Sequence, residues 1–170
     1  MNLKSFKSRA YRKRKSLTSF LKRLQRKNPA GMDAMARETD KEVWTNIDCL
    51  TCANCCKTMT PTFLPADIKR ISAHLKMTPA AFKEKWLTVD ADNGDIVNIN
   101  QPCQFLDLKT NFCSIYEVRP KDCSGFPHLK KKDVLEYTHV YTDNLHRCPA
   151  TLKWAEEMQK KVIEQGILKK

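Results

Sequence analysis

The sequence predicts an α+β fold: a small cysteine-rich domain of short helices and one small antiparallel hairpin, preceded by a basic tail. Three observations carry that prediction. Apolar residues recur at helical spacing in several short runs, each punctuated by proline or a capping side chain. Asn93-Gly94 lies between two strand-like segments. The charge is lopsided as well, with eleven Lys or Arg and no acid in residues 1–29, against twenty basic and nineteen acidic residues in the other 141. The formal charge of +12 therefore belongs to one end of the chain, and the body is electrostatically ordinary. Four glycines and eight prolines among 170 residues exclude a collagen-like or wholly low-complexity chain.

Residues 1–32 read as a basic tail, helical or disordered. Leu17, Phe20, Leu21 and Leu24 share a stripe, Lys22, Arg23, Arg26 and Lys27 lie mostly off it, and Asn28-Pro29-Ala30-Gly31 is a stop. Such a segment suits a solvated tail, a helix packed on the body, an RNA-binding or anionic-surface element, or an organellar transit peptide. It is expected to be separable from the rest. The cysteine-rich domain spans residues 42–166. Leu64-Pro65-Ala66-Asp67 opens a helix with Ile68, Ile71 and Leu75 on one face. Thr78-Pro79 caps a second, carrying Phe82 and Trp86. Asn93-Gly94 predicts a two-residue hairpin turn joining residues 87–91 to 96–99. Tyr137, His139 and Tyr141 alternate like a short strand, and residues 150–165 close the domain as a helix with Trp154, Met158 and Val162 on one stripe and Gly166 at its end.

Eight cysteines are the chemically informative residues. Cys49-Leu-Thr-Cys52-Ala-Asn-Cys55-Cys56 is too dense for an ordinary helix or strand, and two-residue spacing lets a tight turn aim successive thiolates at one centre. Cys103, Cys113, Cys123 and Cys148 supply four more sulfurs. No apolar stretch reaches the length of a membrane span and no export signal precedes the body, so a reducing, cytoplasmic setting is expected, where clustered thiols mean metal. The candidate ligands are Cys49, Cys52, Cys55, Cys56, Cys103, Cys113, Cys123 and Cys148, holding an iron–sulfur cluster of the [4Fe–4S] kind or zinc, in one site or two. Disulfides or a mixed site are the remaining alternative. Thiolates accept both metals, so sequence does not separate them. Cys49, Cys52 and Cys55 form the natural local triplet, and Cys56 competes with its neighbour for space. A metal held across such distant residues would make this a metal-stabilised domain.

These motifs, followed by Pro102-Cys103-Gln-Phe105-Leu106, Cys113-Ser-Ile115-Tyr116-Glu-Val-Arg119-Pro120-Lys-Asp-Cys123 and Phe126-Pro127, resemble the YkgJ-like cysteine-cluster family over about residues 49–148. The resemblance implies zinc or iron chelation by the cysteines. Larger proteins similar to this group include flagellin lysine methylases, and this chain shows no separate methyltransferase region. It departs from the pattern at Ser124-Gly125, where relatives often carry arginine, without losing a ligand.

Arg119 has two readings: offsetting the charge of a thiolate centre, or pairing structurally with Asp122 or Glu117. Phe105, Ile115, Tyr116 and Phe126 suit an apolar shell around sulfurs or a plain core. His128, His139 and His146 are additional zinc candidates. HExxH, a phosphate loop, GxSxG and the radical-SAM cysteine spacing are all missing. The leading expectation is a metal-binding protein. The alternatives are a redox or modification enzyme using the centre, and an RNA- or ribosome-associated protein with structural zinc.

Overall fold

A computed structural model describes residues 2–169. The α+β prediction holds: the chain is mostly helical, with one two-stranded antiparallel sheet. It forms two compact units, one from the chain ends (up to Asp48 and from Pro127 onward), the other from Cys49–Phe126.

In the first unit, α1 runs over Leu3–Lys27. The Asn2 side chain accepts the N–H groups of Lys4 and Ser5, satisfying donors that a helix start leaves orphaned. Asn28 ends the helix in the left-handed region, its N–H returning to Leu24. The predicted stripe is buried and extends back through Phe6 and Ala10. α2, Met32–Trp44, follows Gly31, whose φ of 83° suits a residue without Cβ. The Asp33 carboxylate accepts the N–H groups of Asp133 and Val134 at 3.0 and 2.9 Å.

Two strand expectations in this sequence need correction. Tyr137, His139 and Tyr141 lie instead in a 3₁₀ turn, Val134–Tyr137, and in α8, Thr138–Asn144. Val134, Thr138, Tyr141 and Leu145 are buried at three- to four-residue intervals, and that period outweighs the shorter alternation. The closing helix α9, Pro149–Glu164, buries Trp154, Met158 and Val162 as expected and ends at Gly166, where φ is 67°. Trp154 is fully buried, with Tyr141 tilted 4.9 Å away and its indole N–H donating to the Ala36 carbonyl. α1 packs on α8 and α9, and α2 on α9.

The second unit begins with two one-turn helices, α3 (Cys49–Cys52) and α4 (Asn54–Thr58). Ala53 breaks them apart in the left-handed region. α5, Pro65–His74, and α6, Pro79–Trp86, occur as read, the latter capped by the Thr78 hydroxyl accepting the Ala81 N–H. The strands β1, Leu87–Val89, and β2, Ile96–Asn98, pair Leu87 with Asn98 and Val89 with Ile96. The second correction is their turn. Asp90 and Asp95 are joined by a backbone bond, leaving four loop residues rather than two. A two-residue type I′ turn needs positive φ at both positions, and of Asn93 and Gly94 only Gly94 has it. The core is Phe63, Ile68, Ile71, Phe82, Leu87, Phe105 and Ile115, with Phe82 stacked on Phe105. A 3₁₀ turn, Tyr116–Val118, and the short helix α7, Lys121–Gly125, complete this unit. Asp67, only 1% exposed, accepts the N–H groups of Leu64 and Lys121 and the Arg70 guanidinium, fastening α5 to α7.

Candidate metal centre

The eight cysteines divide between the two units. Seven lie in Cys49–Phe126, whereas Cys148 is in the first unit, buried at the N-cap of α9 with its N–H on the Asn144 carbonyl. Cys49 is exposed, Cys52 buried, and Cys55, Cys56, Cys103, Cys113 and Cys123 half-buried.

Backbone bonds set the local geometry. The Cys103 N–H donates to the Cys56 carbonyl at 2.9 Å, tying the first cluster to the Pro102-Cys103 segment. Leu106 and Cys113 form an antiparallel bridge, and the Ser114 N–H returns to Phe105, so this loop folds Cys113 back toward Cys103. The Cys103 and Cys113 side chains pack against the apolar core. Asn98 donates its amide N–H to Cys103 Sγ at 3.4 Å and accepts the Gln104 amide N–H.

Three sulfurs share one device. Cys52 receives the backbone N–H of Asn54, Cys103 that of Phe105, and Cys113 that of Ile115. In each case the donor is two residues onward, and such donors favour the thiolate. Burial acts more strongly in the opposite direction and pushes all three thiols up. Cys123 is driven farthest up, by burial first and then by the charges of Cys56, Asp122, Cys103 and Cys113. Cys56 is lowered, to about 7, chiefly by its contact with the Cys55 thiol, whose Sγ lies 3.9 Å away. Cys56 raises Cys52, Cys103, Cys113 and Cys123. The charge of a Cys56 thiolate is thus felt at all four. A bound cation would favour their thiolate forms, and the soft donors fit zinc or an iron–sulfur cluster. Among the described residues no three Cys, His, Asp or Glu side chains stand close enough to hold an ion, so binding would require the sulfurs to draw in.

The other expected participants have mostly structural places. Arg119 stacks 3.8 Å over the Tyr116 ring and donates to the Tyr116 carbonyl, while its charge partly offsets the rise at Cys113. Asp122 accepts the Thr62 N–H. Phe105 and Ile115 join the core, whereas Tyr116 and Phe126 are half-buried. The His128 carbonyl accepts the Tyr141 hydroxyl, and His139 is exposed. His146 is lowered by burial and by the positive charges of Arg14 and Arg147, against the opposing pull of Asp143. Sequence reading missed Asn98 as a sulfur partner. It also missed the repeated Cys-x-apolar pattern in Cys103-Gln-Phe105 and Cys113-Ser-Ile115, where one residue gives its N–H to sulfur and its side chain to the core.

The chain belongs to the CxxCxxCC family, described as "putative zinc- or iron-chelating domain", which matches residues 48–149. It is also 31% identical over 81 residues to Uncharacterized protein MJ0661 of Methanocaldococcus jannaschii. That match covers 47% of this chain and 43% of the archaeal protein, so the chain spans less than half the length of this curated relative. No solved structure matches. Among the described residues no helix is long and apolar enough to cross a membrane.

Proposed function

We propose that the Cys49–Phe126 unit carries a thiolate-bound metal centre, a [4Fe–4S] cluster or zinc, with Cys56, Cys103, Cys113 and Cys123 as its central ligands. Cys49, Cys52 and Cys55 stand in reserve for a second site or for exchange at the first. What supports this reading is the reach of the Cys56 charge to the half-buried Cys103, Cys113 and Cys123 through the fold, together with the backbone N–H groups that favour the thiolates of Cys103 and Cys113. A reducing, cytoplasmic compartment suits such thiolates. Zinc would act by holding the unit together, and a cluster would add an electron-transfer capacity tuned by the surrounding apolar side chains and N–H···S bonds.

Anaerobic purification with iron, sulfide and zinc quantified against protein tests the reading. A brown protein that bleaches on reduction identifies a cluster, and a colourless one with stoichiometric zinc identifies zinc. Cys103→Ser, Cys113→Ser and Cys123→Ser should each lose most of the metal. Full occupancy in these three variants would overturn the ligand set.

A further inference from the structure

α1 spends its apolar face inside its own unit: Phe6, Leu17, Phe20, Leu21 and Leu24 are at most 6% exposed. A helix that binds a lipid surface needs that face free to enter the acyl boundary. α1 has nothing left to insert. Its rotation is also fixed, because Arg9 and Lys13 pair with Glu156 of α9, and Arg23 and Lys27 donate to the carbonyls of Lys169 and Ile167. The opposite side then faces solvent. It presents Lys4, Arg12, Lys15, Lys22 and Arg26, all exposed, on a helix with no acidic residue. At 1.5 Å per residue this stripe is about 33 Å long. Tyr11, 88% exposed, stands within it.

We propose that this face of α1 binds single-stranded nucleic acid, its cations contacting successive phosphates and Tyr11 stacking on an unpaired base. Charge complementarity supplies the affinity, which is sequence-independent and salt-sensitive. The exposed ring selects single strands, because a base inside a duplex offers it no free face. The buried apolar stripe separates this partner from an anionic membrane, which would need the same basic residues with the hydrophobic side uncovered.

Fluorescence anisotropy with labelled 20-nucleotide oligouridylate and oligothymidylate, using the full metal-loaded chain across salt, tests the proposal. Five phosphate contacts predict log K falling against log salt with a slope of about −3.5. The double variant Lys15→Glu/Lys22→Glu should weaken binding at least tenfold and flatten the slope. Tyr11→Ala should weaken binding about five- to tenfold with the slope unchanged. Lys109→Glu, exposed in the other unit, should change neither. The α1 changes fall on exposed side chains, so thermal melting should stay that of the parent, and Lys15→Gln/Lys22→Gln gives a milder test of the same contacts. Absence of binding at low salt, indifference to both charge variants, or equal affinity for duplex RNA with no effect of Tyr11→Ala would overturn the proposal. Tighter binding to phosphatidylserine vesicles than to either oligonucleotide would overturn it in favour of a membrane.

Discussion

Ala53 shows what the cysteine cluster demands of its backbone. With φ at 45° and ψ at 20° it sits in the left-handed region, where Cβ crowds the carbonyl and an L-residue is disfavoured by about 1–2 kcal/mol. Continuing the helix through residue 53 would merge α3 and α4; the break re-aims Cys55 and Cys56 relative to Cys49 and Cys52. Ala53→Gly removes the clash while adding freedom to the unfolded chain, so the expected gain is only up to about 1 kcal/mol, read as a raised melting temperature. Destabilisation by this glycine would show that the alanine methyl, which is buried, matters more than the strain. The sulfurs carry a second prediction. Burial holds Cys103, Cys113 and Cys123 above the usual thiol range, so they are protonated at pH 7 in metal-free protein. Zinc must displace those protons, so binding should release about three per ion and weaken as pH falls. Calorimetry in buffers of different ionisation enthalpy measures the number, and pH-independent affinity would contradict thiolate ligation.

At the scale of elements, α1 is a structural member of its unit. Leu21 is completely buried, and Leu21→Ala should cost about 2–5 kcal/mol by opening a cavity beneath the helix. Deleting residues 1–29 should therefore unfold the chain-end unit rather than trim a tail, in contrast to the separability expected from charge alone. Hydrogen exchange in α9 reads the difference. Asp33 gives the same unit an acid-side dependence. Its carboxyl lies below the usual range because Val134 and Asp133 donate their N–H groups to it. A depressed folded pKa means that its stabilisation is full above about pH 4 and fades as pH falls through the lowered value. Asp33→Asn should remove that dependence.

Elements with local punctuation were legible in the chain: Asn28-Pro29 ending α1, Thr78-Pro79 opening α6, Gly166 ending α9. α2 went unread although Met35, Ala36, Thr39 and Val43 have helical spacing, because charged residues dilute the stripe. The Tyr137–Tyr141 alternation misled because burial there follows Thr138 and Tyr141 instead. A cluster of cysteines was legible in composition, but not which thiols feel the charge of Cys56. That depends on the Cys56–Cys103 backbone bond and on the fold-back of residues 105–114, and both are tertiary.

For the whole molecule, two cores imply two responses to metal. The chain-end unit has its own packing, centred on Trp154, Leu21, Leu24 and Met158, all unexposed. The cysteine unit rests on a core of seven buried apolar residues joined to long loops around Cys103, Cys113 and Cys123. Ligands spread over such loops make binding free energy part of folding free energy. Chelation should therefore abolish hydrogen-exchange protection mainly in residues 54–58 and 96–125, leaving α1, α2 and the body of α9 protected. Cys148 makes the experiment sharper. It caps α9 in the chain-end unit, so protection of residues 144–152 should stay with that unit's core when metal is removed. Unchanged protection there would leave it a buried thiol at a helix start. Protection unchanged throughout residues 49–126 after complete metal removal would show that the apolar core alone holds the cysteine unit, and the metal would then be chemistry rather than scaffold.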